Sequence, residues 1–148
     1  VHAICVSPAA RETPFLALRM GLFRGEDRGM HWTDLNIGQH AAHLRYGRDI
    51  VVAPRNPNTL FACVADSSRG QAGRPYRSED TGATWTQIDR GVSVKSTMMG
   101  VAPNPADPSR IHCVARQGQT FSTDDGGASW RELPLPDGSG AAVAIACG

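Results

Sequence analysis

Aspartate recurs at three places in this chain in the same company. Asp27, Asp80 and Asp125 each stand two residues before a glycine (Gly29, Gly82, Gly127) and five before a tryptophan (Trp32, Trp85, Trp130), which accounts for all 3 tryptophans of the 148 residues. Such a carboxylate could transfer protons, bind a cation, or accept hydrogen bonds from its own turn. One carboxylate per turn falls short of the roughly six to eight oxygens a Ca²⁺ ion takes. Accepting backbone N–H bonds, as in an Asx-turn, needs only one. The glycine supplies a conformation that a Cβ resists, and the tryptophan ring lies over the turn, burying on the order of 150–250 Å². Ser78 and Thr123, two residues ahead of their aspartates, can cap the other side of the turn, whereas the first copy has Gly25 there and lacks that contact.

A second set of reactive side chains gathers in two polar insertions, residues 36–49 and 66–74. His40 and His43 have a spacing seen in metal sites, but no third ligand accompanies them, and no metal is expected. Arg45, Arg48, Arg69 and Arg74 could fork onto a carboxylate or sulfate, or simply solvate their loops. Tyr46 could offer a stacking platform. Asp49 and Asp66 could form the carboxylate pair that glycosidic cleavage needs, although any loop-rich surface supplies two acids. No nucleophile, base and acid set emerges, so no residue is assigned as catalytic and no cofactor is implied.

The elements that position these groups repeat with the aspartates, at roughly 50 residues per unit. Each unit opens with an apolar stretch ending in proline: Ile4-Cys5-Val6-Ser7-Pro8, Ile50-Val51-Val52-Ala53-Pro54, Met99-Gly100-Val101-Ala102-Pro103. A polar turn follows, then a second apolar run (Phe15–Leu18, Phe61–Val64, Ile111–Val114), then an aromatic leading into the motif (Phe23, Tyr76, Phe121). A short polar-apolar segment follows each tryptophan: Thr33-Asp34-Leu35, Thr86-Gln87-Ile88, Arg131-Glu132-Leu133. Four short runs per unit, bounded by Gly, Pro, Asn or Asp, read as β-strands. No segment keeps a helical period. The pattern predicts an all-β partial β-propeller of three four-stranded antiparallel blades, over about 1–40, 46–92 and 97–136. Residues 141–148 align with the opening of the first unit, Ile145 falling on Ile4, and are expected to form the first strand of a further blade.

The motif resembles the Asp-box or BNR repeat, Ser/Thr-x-Asp-x-Gly-x-x-Trp, matched in full by the second and third copies and in the first apart from Gly25. The resemblance covers nearly the whole chain. It implies a propeller like those of sialidases, xyloglucan-type endoglucanases, the sortilin ectodomain and the photosystem II assembly factors. It does not choose among enzyme, receptor and assembly factor. The Arg-Ile-Pro signature of sialidases is missing, and Tyr46 has no glutamate in its loop. The function expected is therefore a non-catalytic binding or assembly platform, the alternative being part of a glycoside hydrolase whose catalytic residues lie mostly elsewhere.

Strand direction decides which end of the blades binds. The motif turns and the turns between first and second strands share one face, so the insertions carrying His40 to Asp49 and Asp66 to Arg74 share the other, where a carbohydrate or anionic ligand is expected. Lys95, Ser96 and Thr97 join them there, as do Arg19 and Arg116 at the ends of second strands. A formal charge of +1 gives no case for nucleic acid or a membrane surface as partner. The 4 cysteines follow the apolar rhythm and read as free thiols, which points toward a cytoplasmic setting. Three blades are fewer than the roughly four to eight of a closed propeller. The remaining blades of a longer chain, or a second copy, are the partners expected to complete it.

Overall fold

The computed structural model describes residues 1–37 and 43–148. Its strands are β1 (Ala3–Val6), β2 (Pro14–Leu18), β3 (Gly21–Glu26), β4 (His31–Asp34), β5 (Tyr46–Ala53), β6 (Asn56–Ala65), β7 (Gly73–Ser78), β8 (Thr86–Gln87), β9 (Met98–Pro103), β10 (Ile111–Ala115), β11 (Gln119–Thr123) and β12 (Arg131–Pro134). Each consecutive four form one antiparallel meander, giving the expected three sheets in chain order. A 3-10 turn at Asp27–Gly29 stands between β3 and β4.

Alternation along the strands stacks the sheets face to face. In β6, Leu60, Ala62 and Val64 enter a core shared with Phe15, Ala17 and Leu22 of the first sheet. The intervening Phe61 and Cys63 enter a second core with Ile111, Cys113 and Phe121 of the third. The middle sheet is thus buried on both sides, as a period of two with apolar residues on both faces requires. The outer strands β4 and β12 are exposed along their length.

Hydrogen bonds between turns show which ends lie together. Thr81 N donates to Asn58 O (2.8 Å) and Gly126 N to Ser109 O (2.8 Å), joining the second motif turn to the start of β6 and the third to the turn between β9 and β10. Inside the second motif, Asp80 Oδ1 accepts from Thr84 N (2.8 Å) and from Ser78 Oγ (2.8 Å), and Oδ2 from Thr84 Oγ1 (2.6 Å). Ser78 Oγ in turn accepts from Gly82 N (2.8 Å), whose φ of +84° suits glycine. The third motif repeats the pattern with Thr123, Asp125, Gly127 and Ser129. In the first, Gly25 is required because a Cβ there would lie 2.7 Å from Pro14 Cγ. Asp27 itself takes φ of +48°, and its carboxylate lies 3.3 Å from His31 Nδ1 in place of a capped backbone N–H.

Hydrogen bonds from Thr84, side chain first and then backbone, hold the Asp80 carboxyl down at about 2, from 3.8. The same kind of bonds, from Ser129 and Thr123, lower Asp125. A folded value below the unfolded one stabilises the fold above the unfolded value, and this contribution is lost as pH falls from about 4 through 2. Asp80 is solvent-exposed, so Asp80→Ala is expected to cost about 1 kcal/mol at neutral pH, in the range of a lost cap. Urea midpoints of parent and variant should converge near pH 2. A constant gap at both pH values would show that the carboxylate charge does not hold the turn.

Residues 141–148 form no strand, unlike the expectation for them. A strand needs a ladder, and no described strand pairs with this segment. The segment still lies along β9: Ile145 sits against Gly100, Arg48 donates to Val143 O (3.2 Å), and Asn104 Nδ2 donates to Cys147 Sγ (3.4 Å).

Candidate functional site

The loop after β6 is built by its own acid. Asp66 Oδ1 accepts from Ser67 N (2.9 Å) and Oδ2 from Gln71 N (3.2 Å), closing 66–71 as a compact loop. Thr97, fully buried just before β9, then fastens it: Thr97 Oγ1 donates to Ser67 O (2.8 Å) and accepts from Gly70 N (3.0 Å). The β10–β11 turn joins the same network. Arg116 N donates to Thr97 O (2.9 Å), Gln117 N to buried Ser96 Oγ (3.1 Å), and the Arg116 guanidinium to Ser68 O (3.2 Å). Three loops from two sheets therefore form one surface, at the end of the stack away from the motif turns.

A groove of about 560 Å³ opens between them, lined by Arg69, Gly70, Ser96, Arg116, Gln117, Gly140 and Ala141. Two arginines and no acidic residue line it, while the Asp66 carboxylate lies against Gly70 at its edge. Arg69 has no hydrogen bond or ion pair to any described residue, so its five donors face solvent. The arrangement suits an anion or a hydroxyl-rich ligand that accepts hydrogen bonds. No His, Cys, Asp or Glu is among its lining residues.

The other expected site residues scatter. Tyr46 packs on His2, ring centroids 4.8 Å apart, and its hydroxyl meets His2 Nε2 at 3.1 Å. Because His2 Nδ1 lies 2.8 Å from Gly47 O, which only accepts, Nδ1 carries the proton and Nε2 accepts from Tyr46. Tyr46 is thus engaged as a clasp between the first two sheets. Arg45 lies beside Asp34 and Asn36 at that same junction. Arg48 reaches the tail at Val143. Arg74 pairs with Asp89 at 2.5 Å. Asp49 lies in the seam between second and third sheets, accepting from Ile50 N (2.9 Å) and Val101 N (3.0 Å), and burial raises its carboxyl above the usual value. No hydrogen bond or ion pair joins Asp49 to Asp66. His43 is exposed, and His40 lies outside the described residues. Among the described residues, no three His, Cys, Asp or Glu side chains gather to hold a metal ion, and no helix is long and apolar enough to cross a membrane.

Of the expected residues, the structure brings Arg69 into the groove, on a loop shaped by Asp66, and adds Arg116, Ser96 and Gln117. Arg116 and Ser96 were legible as residues of this face. Gln117 was missed, although it follows Arg116 in the turn that the repeat aligns with the β6–β7 loop.

The chain matches no protein-family model. Vacuolar protein sorting/targeting protein 10 of Mycosarcoma maydis is 33% identical over 66 residues, 45% of this chain and 4% of that protein. Solved structures align over most of the chain. The GH74 xyloglucanase of Xanthomonas campestris does so with a TM-score of 0.71 and 21% identity, covering 88% of this chain and 20% of that one. The GH74 enzyme of Niastella koreensis gives 0.68 and 20%, covering 87% and 22%. YCF48 from Cyanidioschyzon merolae gives 0.59 and 19%, covering 88% and 35%. The chain therefore spans between about a fifth and a third of the length of these solved chains, and far less of the curated relative. At such identities the likeness speaks for the fold: the chain is a run of three four-stranded β-propeller blades.

Proposed function

We propose that this chain is a non-catalytic module of the Asp-box, or BNR, propeller type, which binds an anionic or carbohydrate ligand on the face formed by its β6–β7, β8–β9 and β10–β11 loops. The single observation that carries the reading is the groove whose lining holds two arginines, Arg69 and Arg116, and no acidic residue. The repeated aspartate turns support the family, as does the match to a vacuolar sorting protein. The alternative, part of a glycoside hydrolase, draws on the fold likeness to GH74 enzymes. Against it, no hydrogen bond or ion pair joins Asp49 to Asp66, and each is held in its own place by two backbone N–H groups, Asp49 by Ile50 and Val101 and Asp66 by Ser67 and Gln71.

Calorimetric titration with sulfate, sialic acid and xyloglucan oligosaccharides tests the reading. Binding of at least one is expected to weaken about tenfold or more in Arg69→Ala and in Arg116→Ala, as lost charge-assisted hydrogen bonds imply. It should also weaken with salt. No binding to any of the three, or affinity unchanged in both variants, would remove the groove as the site. Turnover of aryl sialosides or xyloglucan that Asp49→Asn or Asp66→Asn abolishes would install the alternative.

A further inference from the structure

Counted along the ladders from the motif, Cys63 and Cys113 do not occupy the same place. Leu60 pairs with Ser78 and Ile111 with Thr123, each partner standing two residues before its motif aspartate. Cys113 therefore matches Ala62, and Cys63 stands one residue further along its strand. Strand alternation turns that single step into opposite directions. Cys63 leaves β6 toward the third sheet and Cys113 leaves β10 toward the second. Both enter the core of the second seam, the one between those sheets, as free thiols with no exposure.

The backbone sets the two at one level. Asp49 is the ladder partner of Cys63, and Val101 that of Cys113. Asp49 Oδ2 accepts from Val101 N (3.0 Å), so a bridge across the seam ties the two pairs together. The two thiols are hydrogen-bonded to each other. At the first seam the matching places belong to two alanines, Ala17 and Ala62, also with no exposure, so the sheets approach closely at this level. Two cysteines that meet side chain to side chain across such a seam have what a disulfide needs, Cβ atoms directed at each other.

We propose that Cys63 and Cys113 are an oxidation site, closing into a disulfide that fastens the second sheet to the third. The oxidant is a small disulfide of the glutathione kind. One cysteine thiolate attacks it, forming a mixed disulfide and releasing one glutathione thiolate. The other cysteine's thiolate then attacks the protein sulfur of the mixed disulfide, forming the new S–S bond and expelling the second glutathione. Two cysteine thiols lose two protons and two electrons, and one glutathione disulfide becomes two glutathione thiols. Burial in the closed seam puts the exchange in the period when the chain is folding, and afterwards shields the bond from reductants. The enclosed loop is about 50 residues long, so the link restricts the unfolded chain strongly.

The reduced 148-residue chain, unfolded in guanidinium and diluted into a mixture of reduced and oxidised glutathione, tests this. Peptide mapping by mass spectrometry is expected to find the segments of β6 and β10 joined, their summed mass lower by two hydrogens. The thermal midpoint of the joined chain should lie about 5–15 °C above that of the same chain refolded with dithiothreitol. Cys63→Ala, which installs the residue of the first seam, should abolish the difference between the two conditions, while Cys147→Ser should keep it. Cys63 and Cys113 recovered as thiols, as glutathione adducts or joined to Cys5 or Cys147 would overturn the proposal. So would a joined chain that melts no higher than the reduced one, because the bond would then strain the seam rather than fasten it.

Discussion

Trp85→Ala is expected to cost about 3–5 kcal/mol, the range for a truncated core aromatic, whereas Trp32→Ala should cost no more than about 1 kcal/mol. The residues occupy one position of one motif, so chemistry and local geometry are held nearly constant, and the difference measures what lies outside the sheet. Trp85 joins Phe15, Leu60 and Tyr76 in the core between first and second sheets, and its Nε1 donates to Gly82 O (3.2 Å). Trp32 has its own sheet, and no other described sheet covers it, leaving it 41% exposed. Removing Trp85 leaves a cavity that rigid flanking strands cannot collapse to fill; removing Trp32 leaves a dent in the surface. Guanidinium denaturation of both variants, with equal m-values as the check on two-state behaviour, gives the comparison. Equal losses would mean that the tryptophan acts through its own hairpin alone, and the seam would lose its main anchor.

The parts of this fold that sequence discloses are those whose causes are local. An aspartate capping a residue four positions on, a glycine at positive φ and a tryptophan closing the turn all act within eight residues, and three copies make the pattern audible above chance. Strand alternation in β6 is equally local, and so it predicted burial on both faces. The expected site residues depended instead on contacts across the repeat. Asp49 looks like a loop acid until Val101, 52 positions away, is found donating to it. Arg74 and Asp66 are taken up by partners that lie within one loop or hairpin but are reached only by its fold. The groove escaped full description because it is the meeting of three loops, and Gln117 has no property of its own that marks it. The tail failed as a strand for a similar reason: its apolar pattern is right, and pairing is a property of two segments.

The 4 thiols should separate into two kinetic classes under Ellman's reagent, with Cys147 labelled first and Cys63 and Cys113 protected by about a thousandfold or more in the folded chain. Reaction requires a thiolate that the reagent can reach. Cys63 and Cys113 sit with no exposure in the core between second and third sheets. Burial pushes the Cys63 thiol well above its ordinary range, and the hydrogen bond to Cys113 adds to this. Cys5, half-buried beside the first core, is pushed up to about 12 by burial first and the Asp49 carboxylate second. The linkage follows from the sign: thiols that keep their protons in the folded chain and shed them when unfolded stabilise it below the ordinary value of 9.0, and that stability is lost as pH rises from there toward 12. Cys5→Ser should therefore flatten the decline in urea midpoint above pH 9 without changing it at pH 7 by more than about 1 kcal/mol. Prompt native labelling of Cys63, read by mass spectrometry of the modified peptides, would show that the second seam opens far more readily than a core of Phe61, Met98, Ile111 and Phe121 allows.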